Sequence, residues 1–164
     1  MLARDRQSRL SSISMTYDVS AVRDIAARAA KVWEMVSDLP RMGEWSPENR
    51  GGRWLNGAPG PAVGVVFRGV NRNGVLRWST RVTIEECVPD RVLEFSVTFG
   101  LARVACWRYE FEDTDSGCRV TESWADMRNP IVRLAGAAMG SHDAAHTREA
   151  MAATLAKLAL AAEA

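Results

Sequence analysis

Between Val63 and Met127 polar and apolar side chains alternate with a period of two, and no other feature limits the fold of this chain as strongly. "VGVVFRGVN" runs into a polar glycine turn at Arg72–Gly74. "GVLRWSTRVTIEECV" follows, with Leu76, Trp78, Thr80, Val82 and Ile84 on one face and Arg77, Ser79, Arg81, Thr83 and Glu85 on the other. After the turn "PDR", the next strand aligns Leu93, Phe95, Val97 and Phe99. "RVACWRYEFEDT" sets Ala105, Trp107, Tyr109 and Phe111 against Arg108, Glu110 and Glu112. The last strand, "RVTESWADM", places Val120, Glu122, Trp124 and Asp126 together, so a glutamate shares the face that valine and tryptophan mark for burial. Strands joined by short polar turns form an antiparallel meander with one face on the core and one on solvent.

The flanking segments change period. "MTYDVSAVRDI" reads as a first strand, and "AARAAKVWEMVSDL" as a short amphipathic helix carrying Ala29, Val32, Trp33 and Val36. Ser37 and Asp38 can end it and cap a second short helix, "LPRMGEWSPE", which stops near Trp45 before Pro47. "NRGGRWLNGAPGPAVG" reads as a loop zone around a brief strand at Arg53–Leu55. Its glycines do not form a phosphate loop, because two prolines intervene and a strand follows rather than a helix N-terminus. From Asn129 onward the chain is helical. Asn129 and Pro130 suit the N-cap and first turn, Gly136 and Gly140 weaken the early part, and Ser141 and Asp143 suit a fresh start. Ala144, Thr147, Met151, Leu155, Leu158 and Ala162 then make an apolar stripe.

A chain of 164 residues fits one domain, and the spacing predicts a tail over residues 1–14 and a single domain over 15–164. Formal net charge is +1, so no global field favours nucleic acid or an anionic membrane, and neither a nucleic-acid partner nor stable membrane insertion is expected. No apolar run approaches a membrane span, and the arginine-bearing first residues lack the apolar stretch of a signal peptide, which makes the cytoplasm the simplest location. Cys87, Cys106 and Cys118 are odd in number and widely spaced, which argues against a disulfide framework or structural zinc. With two histidines and no clustered thiols, no metal site and no cofactor are expected.

One terminal helix can cover the apolar face of such a meander only if the sheet curls around it. The face is aromatic, whereas the helix is rich in alanine. Two readings follow: a dry aromatic core, or a residual apolar pocket for a small molecule. "KVWEMVSDLPRMGEWSPE", the "WST" of Trp78–Thr80, "WRYEF" at Trp107–Phe111 and "RVTESW" at Arg119–Trp124 resemble the START-like (SRPBCC) superfamily, and within it the branch of polyketide cyclase/dehydrase and lipid transport proteins. The resemblance runs from about Met15 to the end. It implies an α+β helix-grip fold, a curved antiparallel sheet holding the C-terminal helix around a hydrophobic cavity. It also implies a small hydrophobic ligand, lipid- or polyketide-like. The apolar segment Ile131–Met139 departs from a minimal member, as an early start of the last helix or as a separate flap.

Trp45, Phe67, Trp78, Phe95, Trp107, Tyr109, Glu122, Trp124, Met151 and Leu155 are the candidate ligand-binding residues. Trp45 fits either an entrance residue or a plug. Glu122 and Tyr109, with Asp126, are the candidates for proton transfer if the protein is an enzyme, since burial brings a carboxyl group into the neutral range. Ser141, His142 and Asp143 spell a triad but, being consecutive, diverge on a helix; they read as a cap. His146 lies off the apolar stripe and reads as solvated. Three functions remain open: a carrier or binding protein, a cyclase/dehydrase-type enzyme using a cavity carboxylate, and a structural or regulatory homodimer through Ile131–Met139.

Overall fold

The computed structural model describes residues 15–138 and 144–164. The expected tail over 1–14 and the cap at Ser141, His142 and Asp143 lie outside the described residues. Seven strands form one antiparallel sheet in the order β1-β7-β6-β5-β4-β3-β2. They are β1 (Val19–Ile25), β2 (Asn49–Trp54), β3 (Val66–Asn73), β4 (Leu76–Val88), β5 (Val92–Phe99), β6 (Ala102–Thr114) and β7 (Gly117–Asp126). Between β1 and β2 lie α1 (Ala29–Ser37) and a 3₁₀ helix, Leu39–Glu44. After β7 come α2 (Pro130–Ala138) and α3 (Ala144–Glu163). The arrangement is the helix-grip architecture.

Helix α3 packs along β1 and touches α1. It buries Thr147, Met151, Thr154, Leu155, Leu158, Ala159 and Ala162 on the concave side of the sheet. Small side chains let helix and sheet approach closely, while Leu155 and Leu158 reach the core of Ile25, Val32, Phe67, Ile84, Leu93 and Phe111. The far end of α3 is tied to β1 by the Ala26 N–H, which donates to Glu163 Oε1 at 2.9 Å. The orphan N–H of Ala29 at the start of α1 is met by Asp113 of β6 at 3.2 Å, a cap from a distant strand. Asn129 caps α2 locally, accepting the Val132 N–H at 2.9 Å, with Pro130 in the first position.

The structure departs from the sequence pattern in a few places. The C-terminal helical residues are described over Pro130–Ala138 and again over Ala144–Glu163. Leu76 and Phe99 obey the alternation yet are exposed, because they sit at hairpin tips beyond the core. Strand β2 begins at Asn49, well before the brief strand expected at Arg53, since the Gly51–Gly52 pair is a bulge rather than a loop. Gly51 has φ 81°, and a Cβ there would lie 2.2 Å from the Pro40 carbonyl oxygen, so the bulge lets β2 press against the 3₁₀ helix.

Gly57 also has positive φ, 72°, but open space around it. Gly51→Ala should therefore cost well over the roughly 1 kcal/mol of backbone strain that Gly57→Ala suffers. Urea midpoints of the two variants measure the difference; equal losses would show that the close approach to Pro40 carries no weight.

Candidate functional site

The register of the sheet lays the concave side chains out in rows. Leu93, Tyr109, Glu122 and Ala21 are cross-strand neighbours in one row. Phe95, Trp107, Trp124 and Val19 form the next, toward the end where the β3–β4 and β5–β6 hairpins turn. Val97, Ala105 and Asp126 follow, level with Val82. Burial falls along this direction. Leu93 and Tyr109 are closed off, whereas Trp107, Val97, Thr80 and Trp78 keep part of their surface accessible.

Glu122 points inward and is 2% exposed. Tyr109 Oη donates to its Oε1 at 2.5 Å. Phe95 and Phe111 stack on either side of Tyr109, with ring centroids 6.4 and 6.5 Å away, and fix the direction of that hydroxyl. Glu122 Oε2 is buried with no hydrogen-bond partner among the described residues. An ionised carboxylate in this setting is costly, and one neutral hydrogen bond offsets little of the cost. Burial pushes the Glu122 pKa up to about 8, the bond from Tyr109 pulling the other way. Burial, then the neighbouring Glu122, raises Tyr109 well above its ordinary value. At neutral pH both groups hold their protons: Tyr109 donates to Oε1, and Oε2 carries a proton with no acceptor among the described residues.

The other candidates separate into three environments. Trp107 and Trp124 face each other at 6.4 Å with a 52° tilt, one row nearer the accessible end than Glu122. Trp124 and Met151 pack with Val19 and Ala105 in a small cluster of their own. Phe67, Phe95, Tyr109 and Leu155 belong to the main core, and Trp78 lies half-buried toward the β3–β4 tip. Trp45 is closed into the main core under Arg41, whose guanidinium sits 5.6 Å from its ring; its burial fits a plug, not an entrance residue.

Asp126 does not join the Glu122 pair. Arg128 grips its carboxylate at 2.7 Å and Arg133 of α2 at 3.1 Å. Burial acts to raise the Asp126 pKa, but the Arg128 hydrogen bonds and the two positive charges hold it below its ordinary value. It is a charged anchor for α2 rather than a proton donor. His146 is exposed yet not merely solvated: its Nε2 lies 3.1 Å from Glu48 Oε1, joining the start of α3 to the approach of β2.

Sequence reasoning missed two features of the opposite, convex face. Arg108 Nη1 meets Glu86 at 2.6 Å and Glu94 at 2.7 Å, and Tyr17 donates to the same Glu94 oxygen at 2.7 Å. The strand alternation put Arg108 on the polar face but could not name its partners. The second is a cavity of about 260 Å³ lined by Arg50, Val70, Asn71, Arg72 and Arg77, away from the Glu122 pair. Among the described residues no group of three or more His, Cys, Asp and Glu converges as metal ligands would, and no helix is long and apolar enough to cross a membrane.

A curved antiparallel sheet closed by one long helix defines a helix-grip protein of the START-like type. The chain belongs to the polyketide cyclase / dehydrase and lipid transport family, whose model matches residues 16–163. Among solved structures it is similar to the polyketide-cyclase-like protein Cgl2372 from Corynebacterium glutamicum, with 30% identity, TM-score 0.52, and coverage of 88% of this chain and 84% of that one. It shares its fold with protein NE0264 from Nitrosomonas europaea, at 18% identity, TM-score 0.65 and coverage of 88% and 92%. The di-domain ARO/CYC BexL from the BE-7585A biosynthetic pathway shares the fold at 21% identity and TM-score 0.62; 89% of this chain matches 50% of that one. No curated protein matches the chain significantly.

The raised Glu122 pKa has a definite sign in stability. The folded state keeps a proton that the unfolded state gives up near the ordinary value of 4.5, so stability should fall as pH rises from there toward about 8. Glu122→Gln keeps the acceptor for Tyr109 and removes the titration. It should flatten the profile and be more stable than the parent at pH 7, by at most roughly 3 kcal/mol. Urea midpoints across that range test this, and parallel profiles would mean that Glu122 titrates normally.

Proposed function

We propose that the protein binds a small apolar or aromatic molecule carrying a carbonyl or ether oxygen, as a binding or carrier protein, between the concave face and α3. The observation that carries this reading is Glu122 Oε2, a buried polar atom on an apolar wall with no partner among the described residues. Burying a donor without an acceptor costs about 1–3 kcal/mol, which a ligand oxygen recovers. Trp107 and Trp78 keep accessible surface on the approach and offer flat apolar contact. The family and the aromatase/cyclase neighbours support a ligand of polyketide or lipid character.

A catalytic reading is favoured by one observation. A carboxyl group with a pKa of about 8 can both hold and release its proton near neutrality, as a general acid in cyclisation or dehydration must. Nile red, a neutral aromatic ketone, separates the two readings. Its fluorescence should shift on binding the parent, and Glu122→Leu should weaken binding about tenfold, the worth of one hydrogen bond. Glu122→Gln still offers an N–H and should bind nearly as the parent does, while any turnover of a ketone substrate should be lost. Equal affinity in all three proteins would remove Glu122 from the site.

Helix α2 is proposed as a cover for the accessible end. Its Ile131 is 80% exposed and Leu134 76%, and Arg133 hinges it to Asp126 through the carboxylate and the backbone oxygen. Amide exchange should be faster over residues 131–138 than over 151–158, because weakly held segments open first. Equal protection, with a dimer in sedimentation, would instead make this helix a subunit interface.

A further inference from the structure

Arginines are used differently on the two halves of the convex face. On β6 and β7 each one meets a carboxylate: Arg103 with Glu85, Arg108 with Glu86 and Glu94, Arg119 with Asp24. On β2, β3 and β4 stand Arg50, Arg53, Arg68, Arg72, Arg77 and Arg81, all exposed, and among the described residues none forms an ion pair. Their hydrogen bonds go to backbone oxygens, from Arg50 to Pro47 and from Arg72 to Gly74. The sheet places them directly opposite one another: Arg53 beside Arg68, Arg68 beside Arg81, Arg72 beside Arg77. Like charges in cross-strand register destabilise a sheet, so folding does not account for the arrangement.

A second observation lies at the end of the same strands. Strand β4 starts at Leu76, while its partner β5 reaches only to Phe99 beyond the Arg81–Thr98 pair, so the β3–β4 hairpin projects past its neighbour. Its tip is apolar: Val75 is 92% exposed and Leu76 68%. Phe99 and Leu101 at the β5–β6 tip are exposed on the same end. Just behind the projecting tip is the cavity of about 260 Å³ among Arg50, Val70, Asn71, Arg72 and Arg77.

We infer that the β2–β3–β4 face and its hairpin tip dock on an anionic lipid surface. Guanidinium groups pair with phosphodiesters in forked geometry, and a basic surface carrying apolar residues adsorbs to anionic headgroups while the apolar part enters the interface. Arg50, Arg72 and Arg77 would take a headgroup phosphate while Val75 and Leu76 pass between headgroups. The occupant is a membrane rather than a single-stranded nucleic acid because the arginine rows are interleaved with Val70 and Ser79, with no aromatic side chain inside those rows for bases to stack on. It is a membrane rather than an acidic protein because the two apolar tips need a low-dielectric phase. The inference does not depend on what the concave face binds.

The test is co-sedimentation of the full chain with vesicles of phosphatidylcholine alone or mixed with phosphatidylglycerol. Binding should require the anionic lipid and weaken as salt screens the arginines. Arg68→Gln with Arg81→Gln should lower it about 25-fold, near fivefold per charge. Thermal unfolding of that variant should be unchanged or raised, since it removes a repulsive pair. Val75→Ser with Leu76→Ser should lower vesicle binding several-fold while leaving adsorption to soluble polyglutamate unchanged. The inference fails if binding ignores lipid charge, if the arginine variant binds like the parent, or if the tip variant does. Tight, tip-independent binding of polyglutamate or duplex DNA in place of vesicles would reassign the face to an acidic protein or a nucleic acid.

Discussion

Seven strands present one concave face, and one long helix, α3, aided by the short α1 and the 3₁₀ helix, fills it. That pairing of seven strands with so little helix governs the rest of the structure. The sheet must curl, and it does so with register shifts between Asn49 and Gly52, between Ile84 and Glu86, and between Val97 and Thr98. α3 lies toward β1, so the closed floor forms where Leu93, Phe111, Val120, Leu155 and Leu158 meet. Toward the hairpin tips the helix covers less, and the face stays accessible at Val97, Trp107 and Trp78. Glu122 falls one row inside that transition, deep enough for burial to hold it neutral.

Most of this was legible because period-two alternation encodes which side chains share a face. Glu122 and Tyr109 could be placed together on the concave side from spacing alone, and their cross-strand pairing follows once the hairpin between β6 and β7 is set. What spacing cannot encode is where a strand leaves the core. Leu76 and Phe99 keep perfect alternation and still project from the fold, because burial depends on what lies opposite, and no described residue buries them. Gly51 and Gly52 read as loop residues since glycine marks turns and bulges alike; only the nearness of Pro40 distinguishes them. Asp113 capping α1 and Arg133 holding Asp126 join residues distant in sequence or in separate elements, with no local signature.

Net charge was the least informative quantity. A value of +1 suggested a bland surface, yet it averages an acidic half of the convex face, internally paired, with a half carrying unpaired arginines. Alternation had already put Arg77 and Arg81 on the solvent side of β4. It did not show that β2 and β3 stack Arg53, Arg68 and Arg72 beside them, because register is a property of the assembled sheet.

In the proposed binding role, the protonation state of Glu122 would set what the concave face accepts. With Oε1 taken by Tyr109, the free oxygen carries the proton and acts as a donor. A bound carbonyl or ether oxygen accepting from it stabilises the neutral acid and moves its pKa further up. A cationic ligand does the reverse, drawing the proton off and gaining a buried ion pair whose desolvation cost is large. An anionic ligand group beside Oε2 meets a neutral donor, but it must shed its water on an apolar wall. In that role the pair would favour neutral oxygen-bearing molecules over charged ones of the same shape. That preference should fade as pH passes about 8, where the carboxylate forms and the site turns from donor to acceptor.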